Sequence, residues 1–235
     1  LHFIQVFRCA RKTGLVKEDT RLSFLGFGTM NGKDGKPFKT REGGVMRLEN
    51  LIADIDEEMF TKIVENRSVR DKDARDTAKI VGLAAIKYGD LSNQATKDYI
   101  FDVDRFTSFE GNTGPYILYT IVRIKSILNR YVEAGGNLEA GEILPASNGS
   151  EKNLMLQLSG FGSMIESAFE EKAPHKICAY IYEVSNAFNS FYHETKILSE
   201  ENQAQKESYI RLLQLTKRVL ETSIDLLGFE APDKM

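Results

Sequence analysis

The residues best suited to chemistry lie in a short loop rich in glycine and lysine. Residues 32–44 read GKDGKPFKTREGG. Lysines on a flexible loop can close over the phosphates of a nucleotide and stabilise the negative charge that develops on their oxygens in a transition state. The competing interpretation is a solvated hairpin tip without a ligand, because surface loops often have this composition. The loop alone does not decide between the two.

A second group of residues is suited to binding RNA. Residues 180–193 read YIYEVSNAFNSFYH. Aromatic rings stack on the splayed-out bases of RNA loops, and amide side chains hydrogen-bond to base edges. Four aromatics fall on the apolar face of a predicted helix, where core packing is the simpler explanation: Tyr180, Phe188, Phe191 and Tyr192. Tyr182, Asn186 and Asn189 lie off that face and are the better candidates.

Arg123 is the candidate for a contact with an RNA phosphate. It follows Tyr116 and Tyr119 in a predicted helix, although an ion pair with Glu110 or a nearby acid explains it equally well. The net charge of −3 does not favour nucleic acid, since phosphates are neutralised by basic groups. A local basic surface is sufficient, however, and its candidates are Lys33, Lys36, Lys39, Arg41, Arg123, Lys125 and Arg130.

The first half of the chain mixes predicted element types. A helix is predicted up to Lys12, and a strand over the apolar run LSFLGFGTM at 22–30. Apolar residues at helical spacing predict helices from Leu48 and again after Asp71. Residues 98–109 alternate aromatic or aliphatic residues with aspartates and carry no helix start, so we expect a strand or an extended connector there.

The second half is predicted to be mainly helical. Pro115 suits the first turn of a helix, with Thr113 or Gly114 positioned to cap it. Four apolar faces at helical spacing predict a bundle, with helices that begin at Pro115, cover 154–169, begin after Pro174, and run from about 209 to a stop at Gly228. The glycine-rich stretch 133–150 predicts a long loop.

Several stretches, in order, resemble the arginyl-tRNA synthetase family. GFGTMNGKDGKPFKTREGG resembles its signature loop, KYGDLSN and DYIFDVDRF its link region, and EGNTGPYILYTIVRI the start of its anticodon-binding domain. The similarity continues through APHKICAYIYEVSNAFNSFYHETKIL to the terminal LLGFEAPDKM. It therefore covers nearly the whole chain.

This resemblance implies a mainly α fold. It places the carboxy-terminal remnant of an α/β Rossmann-like catalytic domain at 1–47, a helical link region at 48–114, and an α-helical anticodon-binding domain at 115–235. The chain lacks an HxGH string and an initiator methionine. We therefore expect a piece of a longer enzyme that is inactive alone, because the HIGH signature of the family is missing.

The resemblance also implies the site residues. Lys36-Pro37-Phe38-Lys39-Thr40 takes the place of the class I KMSKS loop, with Pro37 and Phe38 departing from that pattern. It implies catalytic roles for Lys36, Lys39 and Thr40, and ATP binding by Lys36, Lys39 and Arg41. The implied tRNA-binding residues are Tyr116, Arg123, Tyr182, Asn186, Asn189 and Met235.

The implied activity is arginine–tRNA ligation, with ATP as substrate, Mg²⁺ bound to ATP, and L-arginine and tRNA(Arg) as partners. We expect a monomer. We also expect no membrane partner, since no apolar run approaches bilayer length. Cys9 and Cys178 lack the spacing of metal ligands, so we interpret them as small buried residues and expect no metal site. Two separate cysteines also suit a reducing cytoplasm. The alternatives are a non-catalytic tRNA-binding helical module and a helical scaffold for protein partners.

Overall fold

A computed structural model describes residues 1–36, 47–65 and 71–235. The fold is mainly helical, as the sequence predicts. The helices of the described residues are α1 His2–Lys12, α2 Leu48–Glu65, α3 Asp71–Leu91, α4 Val103–Phe106, α5 Gly114–Glu133, α6 Gly149–Ser159, α7 Phe161–Glu171, α8 Pro174–Glu194 and α9 Gln203–Leu226. In these ranges no helix has the length and apolarity needed to cross a bilayer.

The predicted strand over 22–30 is wrong except at its last residue. Strand β1, Met30–Asn31, pairs in parallel with β2, Tyr99–Ile100. The sheet has no third strand within the described ranges, and the preceding apolar run bonds to another segment only at its end, where Gly28 donates to the Ala95 carbonyl and Thr29 accepts from the Tyr99 amide. Phe27 in that run is 88% exposed. Cys9 on α1 is likewise exposed, which corrects its interpretation as a buried residue, whereas Cys178 is buried.

The segment after β2 contains a helix start that the sequence analysis missed. Asp102 has an extended backbone and its carboxylate accepts a hydrogen bond from the Arg105 amide, which caps the short helix α4. Aspartate is among the preferred residues at this capping position. The prediction of an extended connector over 98–109 therefore holds only for Tyr99–Ile100.

Helices α2 and α3 form a hairpin that packs on the bundle. Ile52 is 36% exposed, but the other apolar residues at helical spacing are buried, namely Leu51, Ile55, Met59 and Ile63 on α2 and Ala74, Ala78, Val81, Ala85 and Tyr88 on α3. The buried hydroxyl of Tyr88 on α3 donates to the Cys178 carbonyl oxygen of α8 at 2.8 Å. A Cβ atom on Gly114 would overlap the backbone of Ala84, so α3 and α5 approach closely at this glycine. One hydrophobic cluster consequently spans α2, α3 and the helices after them.

Helix α5 begins as predicted. The Thr113 hydroxyl accepts a hydrogen bond from the Tyr116 amide at 3.2 Å, and Pro115 lies in the first turn. Ile117, Ile121 and Ile124 on its predicted face are fully buried. These residues anchor α5 against the core and leave the remaining face to contact α8.

The single helix predicted over 154–169 is two helices, α6 and α7, separated at Gly160. Leu154 and Leu158 are buried as expected, but Phe169 is 83% exposed. The break changes the face that the second helix presents to the bundle, so Ala168 is buried in place of Phe169. The apolar residues keep one helical spacing on both sides of Gly160, so the sequence pattern could not show this change.

Helices α8 and α9 follow their predicted apolar faces. Phe188 and Phe191 on α8 are fully buried. Helix α9 ends at Leu226, and Gly228 has φ +81°, a left-handed conformation that suits glycine at a helix end. Beyond it, Phe229 and Pro232 are buried, so the last residues lie against the bundle.

Candidate nucleic-acid interface

Helices α5 and α8 bring together the side chains of Tyr116, Arg123, Tyr182, Asn186 and Asn189, here named the α5–α8 polar cluster. The Tyr116 hydroxyl donates to Asn186 Oδ1 at 2.8 Å and accepts from Asn189 Nδ2 at 2.9 Å. Arg123 donates to Asn189 Oδ1 at 2.7 Å. The Tyr116 and Tyr182 rings meet edge to face with centroids 5.7 Å apart.

Helical spacing explains why these side chains meet. Arg123 lies seven residues after Tyr116, and Asn189 three residues after Asn186. Both separations return a side chain to nearly the same face of a helix. All five members of the cluster are half-buried, so they lie at the edge of the core, where one side remains open to a ligand.

Arg123 is held by an amide and two rings. Its guanidinium lies 4.7 Å from the centroid of Tyr119 and 5.3 Å from that of Tyr192. In the described part of the chain no carboxylate forms an ion pair with it, so the alternative of a pair with Glu110 is not what the structure contains. The guanidinium remains uncompensated by an acid, which suits a contact with phosphate.

Tyr119 and Tyr192 are site residues that the sequence analysis did not select. Tyr192 was predicted to be core, but it is 36% exposed, and Tyr119 is 42% exposed. The available signal was spacing, since Tyr119 lies one helical turn before Arg123 and Tyr192 one turn after Asn189. The two rings extend the α5–α8 polar cluster by surfaces on which a base can stack.

The two asparagines differ in how many of their side-chain polar atoms are hydrogen-bonded. Both polar atoms of the Asn189 amide are engaged, by Arg123 and by Tyr116. The Asn186 amide nitrogen donates to no acceptor among the residues that the structure describes, although its oxygen is bonded to Tyr116. Burial raises the pKa of Tyr116, which keeps its hydroxyl protonated and able to donate. Asn186 therefore retains a donor for a ligand.

The sixth predicted residue, Met235, lies apart from these hydrogen bonds. It is half-buried against the hydrophobic core at the end of the segment that follows α9. Lys125, a candidate for the basic surface, points to that segment and pairs with Glu221 and Asp233 at 3.6 and 3.5 Å. Its charge is thus compensated within the protein.

The glycine- and lysine-rich loop is described only at its beginning. Gly32 donates its amide to the Lys36 carbonyl at 2.9 Å, which closes a turn in which Gly35 has φ +73°. Lys36 itself is exposed. The other predicted loop residues lie outside the described ranges, namely Lys39, Thr40 and Arg41.

Lys33 anchors this turn to α4. Its ammonium lies 2.5 Å from Asp104 and 3.2 Å from Asp102. The hydrogen bonds to Asp104 and Asp102 raise the pKa of Lys33, and the Lys33 ammonium lowers the pKa of Asp104. Lys33 therefore belongs to a surface ion pair and not to an uncompensated basic patch.

Two family models match the chain. The DALR anticodon binding domain matches residues 117–235, which include every member of the α5–α8 polar cluster except Tyr116, the residue directly before the match. The catalytic domain of class I tRNA synthetases (R) matches residues 1–103. The first match ends at residue 103 and the second begins at residue 117, near the start of α5, where the sequence predicts the start of the bundle.

Curated relatives match along the whole chain. The arginine–tRNA ligase of Agathobacter rectalis is 67% identical over all of this chain and 41% of its own length. That of Alkaliphilus oremlandii is 57% identical over all of this chain and 40% of its own length. The chain thus spans about 40% of the length of the relatives that it matches.

Solved structures show the same fold. The Plasmodium falciparum arginyl-tRNA synthetase is 26% identical and superposes with a TM-score of 0.80, covering 100% of this chain and 39% of that one. The Thermus thermophilus arginyl-tRNA synthetase is 26% identical with a TM-score of 0.78, covering 90% of this chain and 35% of that one.

Proposed function

The chain belongs to the arginyl-tRNA synthetase family as a carboxy-terminal part with a DALR anticodon binding domain, and from this premise we propose that it serves arginine–tRNA ligation. In the complete enzyme, ATP, L-arginine and tRNA(Arg) would give arginyl-tRNA, AMP and pyrophosphate. This part would supply the signature loop and the anticodon contacts. The observation that carries the proposal is the α5–α8 polar cluster, of which all members but Tyr116 lie within the segment matched by the anticodon-binding model.

The cluster has the chemistry required to hold an RNA loop. Arg123 would contact a phosphate, since it is an uncompensated cation already oriented by Asn189. Tyr119 and Tyr192, which are partly exposed beside it, would stack on bases. Tyr116 and Tyr182 would border the pocket, and Asn186 would read a base edge through its available amide donor.

The loop would act on ATP. Lys36 and Lys39 would stabilise charge on the phosphates as pyrophosphate leaves, Thr40 would complete the catalytic motif, and Arg41 would help bind ATP. Mg²⁺ would enter as the ATP complex. The described turn at 32–36 supports this role, because its backbone hydrogen bond and the Lys33 ion pairs fix the beginning of the loop.

We further propose that three segments of the chain have different roles in the enzyme. Residues 1–47 would complete the catalytic domain, 48–114 would form the link region, and 115–235 would bind the anticodon. The protein would act as a monomer in the cytoplasm, where tRNA and ATP are available.

The anticodon role is tested by base discrimination. In the full-length protein, Asn186→Ala should narrow the affinity gap between tRNA(Arg) and an anticodon-swapped copy by about 1–3 kcal/mol, the usual value of a good base contact. Asn129→Ala is the matched control, since it removes an exposed asparagine of α5. If Asn186→Ala leaves the gap unchanged, this residue does not read a base. If the wild type does not bind tRNA, the proposal fails.

The loop is tested by ATP–pyrophosphate exchange with tRNA present. Lys36→Ala and Lys39→Ala should lower the exchange rate more than they weaken ATP binding, because the lysines act mainly on charge in the transition state. Lys17→Ala, at an exposed lysine outside the loop, should behave like the wild type. Wild-type exchange in both loop variants would remove these lysines from the mechanism.

A further inference from the structure

The segment after α9 is held by two lysines from two different helices. Lys87 of α3 donates to the Gly228 carbonyl oxygen. Lys125 of α5 lies 3.3 Å from the carbonyl oxygens of both Ala231 and Pro232. We name residues 228–235 the carboxy-terminal tail. Within the described residues its last backbone hydrogen bond is the one from Phe229 to Ile224, so side chains must fix the rest of its path.

Lys125 has the stronger set of contacts. Its side chain is only 16% exposed, and besides the two carbonyls it faces the carboxylates of Glu221 and Asp233. An ammonium group has three donors, and the protein places four acceptor oxygens within 3.6 Å of this one. A cation that is largely buried and fully engaged cannot serve as the open phosphate contact that its charge alone would predict.

Helix geometry separates the task of Lys125 from that of Arg123. The two residues are two positions apart on α5, which places their side chains on nearly opposite faces. Arg123 faces α8, and Lys125 faces α9 and the tail. A single helix therefore orients both the α5–α8 polar cluster and the tail, which ends in the half-buried Met235.

We propose that Lys125 is a positioning residue for RNA binding, which fixes the carboxy-terminal tail so that Met235 is presented to tRNA. The proposal rests on the proposed function and on the tRNA contact of Met235 that the family resemblance implies. Neutralising or shortening Lys125 would release the carbonyls of Ala231 and Pro232, and among the described residues the tail would keep the Lys87 contact, the backbone hydrogen bonds of Gly228 and Phe229, and its buried apolar side chains. The RNA contact would be lost without any direct contact between Lys125 and RNA.

The first test measures the tail without RNA. Lys125→Met keeps the length and apolar stem of the side chain but removes its donors. Lys217→Met is the matched control, because Lys217 pairs with the same Glu221 at 3.0 Å and forms no hydrogen bond or ion pair with the tail among the described residues. Carboxypeptidase Y should release the last residues about tenfold faster from Lys125→Met, since cleavage follows the population of the released tail. Equal release from both variants and the wild type overturns the proposal.

The second test measures RNA binding in the full-length protein. Lys125→Met should raise KM for tRNA about tenfold with little change in kcat, and deletion of residues 233–235 should have the same effect. The variant that combines Lys125→Met with the deletion should bind tRNA no more weakly than either change alone, because both changes remove the same contact between the tail and tRNA. The slope of log affinity against log salt should stay at the wild-type value, since no phosphate contact is lost.

The outcomes separate the two hypotheses. Additive losses, or a slope shallower by about one unit, would show that Lys125 contacts a phosphate directly and would overturn the positioning role. Absence of tRNA binding in the wild type would instead overturn the proposed function. The carboxypeptidase result would remain valid in that case, because it involves no RNA.

Discussion

The Tyr116 hydroxyl and the Asn186 side-chain oxygen lie 2.8 Å apart and join α5 to α8 through a donated hydrogen bond. The same hydroxyl accepts from Asn189, so one oxygen atom fixes both amides. Because two protein partners depend on this single atom, its removal is the most direct perturbation of the α5–α8 polar cluster.

We predict that Tyr116→Phe lowers the free energy of unfolding by about 1–3 kcal/mol, the usual cost of leaving partly buried polar partners unsatisfied. Urea titration of the chain measures the change. Tyr119→Phe is the control: the Tyr119 hydroxyl has no hydrogen bond within the described residues, and the ring is 42% exposed, so a change within about 0.5 kcal/mol is expected. Equal effects of the two variants would contradict the prediction.

Arg123 and Asn189 should behave as one unit in tRNA binding. Arg123→Gln should weaken cognate and non-cognate tRNA similarly and make the salt slope shallower by about one. Asn189→Ala should reproduce part of this loss, and the double variant should show a coupling energy of about 0.5–3 kcal/mol. Arg218→Gln changes an exposed arginine of α9 and serves as the control. Strict additivity would mean that Asn189 does not orient Arg123.

The contact between α3 and α5 should tolerate no side chain at Gly114. A Cβ there would overlap the Ala84 carbonyl, so Gly114→Ala should destabilise the chain by about 1–3 kcal/mol through overpacking. Gly149 also begins a helix, α6, but has open space around it. Gly149→Ala should be neutral or stabilising by up to about 1 kcal/mol. Thermal unfolding measures the stability of both variants, and a neutral Gly114→Ala would contradict the close approach of α3 to α5.

Cys178 should be unreactive in the folded chain. Burial raises the pKa of its thiol from 9.0 to about 12, so at about pH 8 only roughly one molecule in ten thousand carries the reactive thiolate. Because the folded pKa lies above the unfolded one, the protonated thiol stabilises the fold fully below about pH 9, and this stabilisation is lost as pH rises towards 12. Iodoacetamide should label Cys9 rapidly and Cys178 only after unfolding. Rapid labelling of a Cys9→Ser variant would contradict this.

Local signals predicted the helix ends well, because the groups that cap a helix lie beside it in sequence. Thr113 and Gly228 act where the sequence analysis placed them. The Gly160 break and the exposure of Phe169 were missed, since neighbouring helices decide which face a segment buries. The strand over 22–30 failed for a related reason, because a strand needs a partner that composition does not reveal.

The candidate site was predictable only in part. Periodicity separated Asn186 and Asn189 from the core, but it could not show that they face Tyr116 and Arg123 of another helix. The engagement of Lys125 by backbone carbonyls was also invisible, since these acceptors carry no sequence signal. Charge identified both Arg123 and Lys125, and only the arrangement of acceptors separates an open cation from an enclosed one.

The pairing of β1 with β2, supported by the Lys33 ion pairs, has a consequence for substrate geometry. It joins the root of the lysine-bearing loop to the segment that carries Phe106, and Phe106 belongs to the hydrophobic cluster that also contains Ile121 and Ile124 of α5. Under the proposed function, the distance between the loop root and the α5–α8 polar cluster would then be set by the fold, and a bound RNA would have to span it.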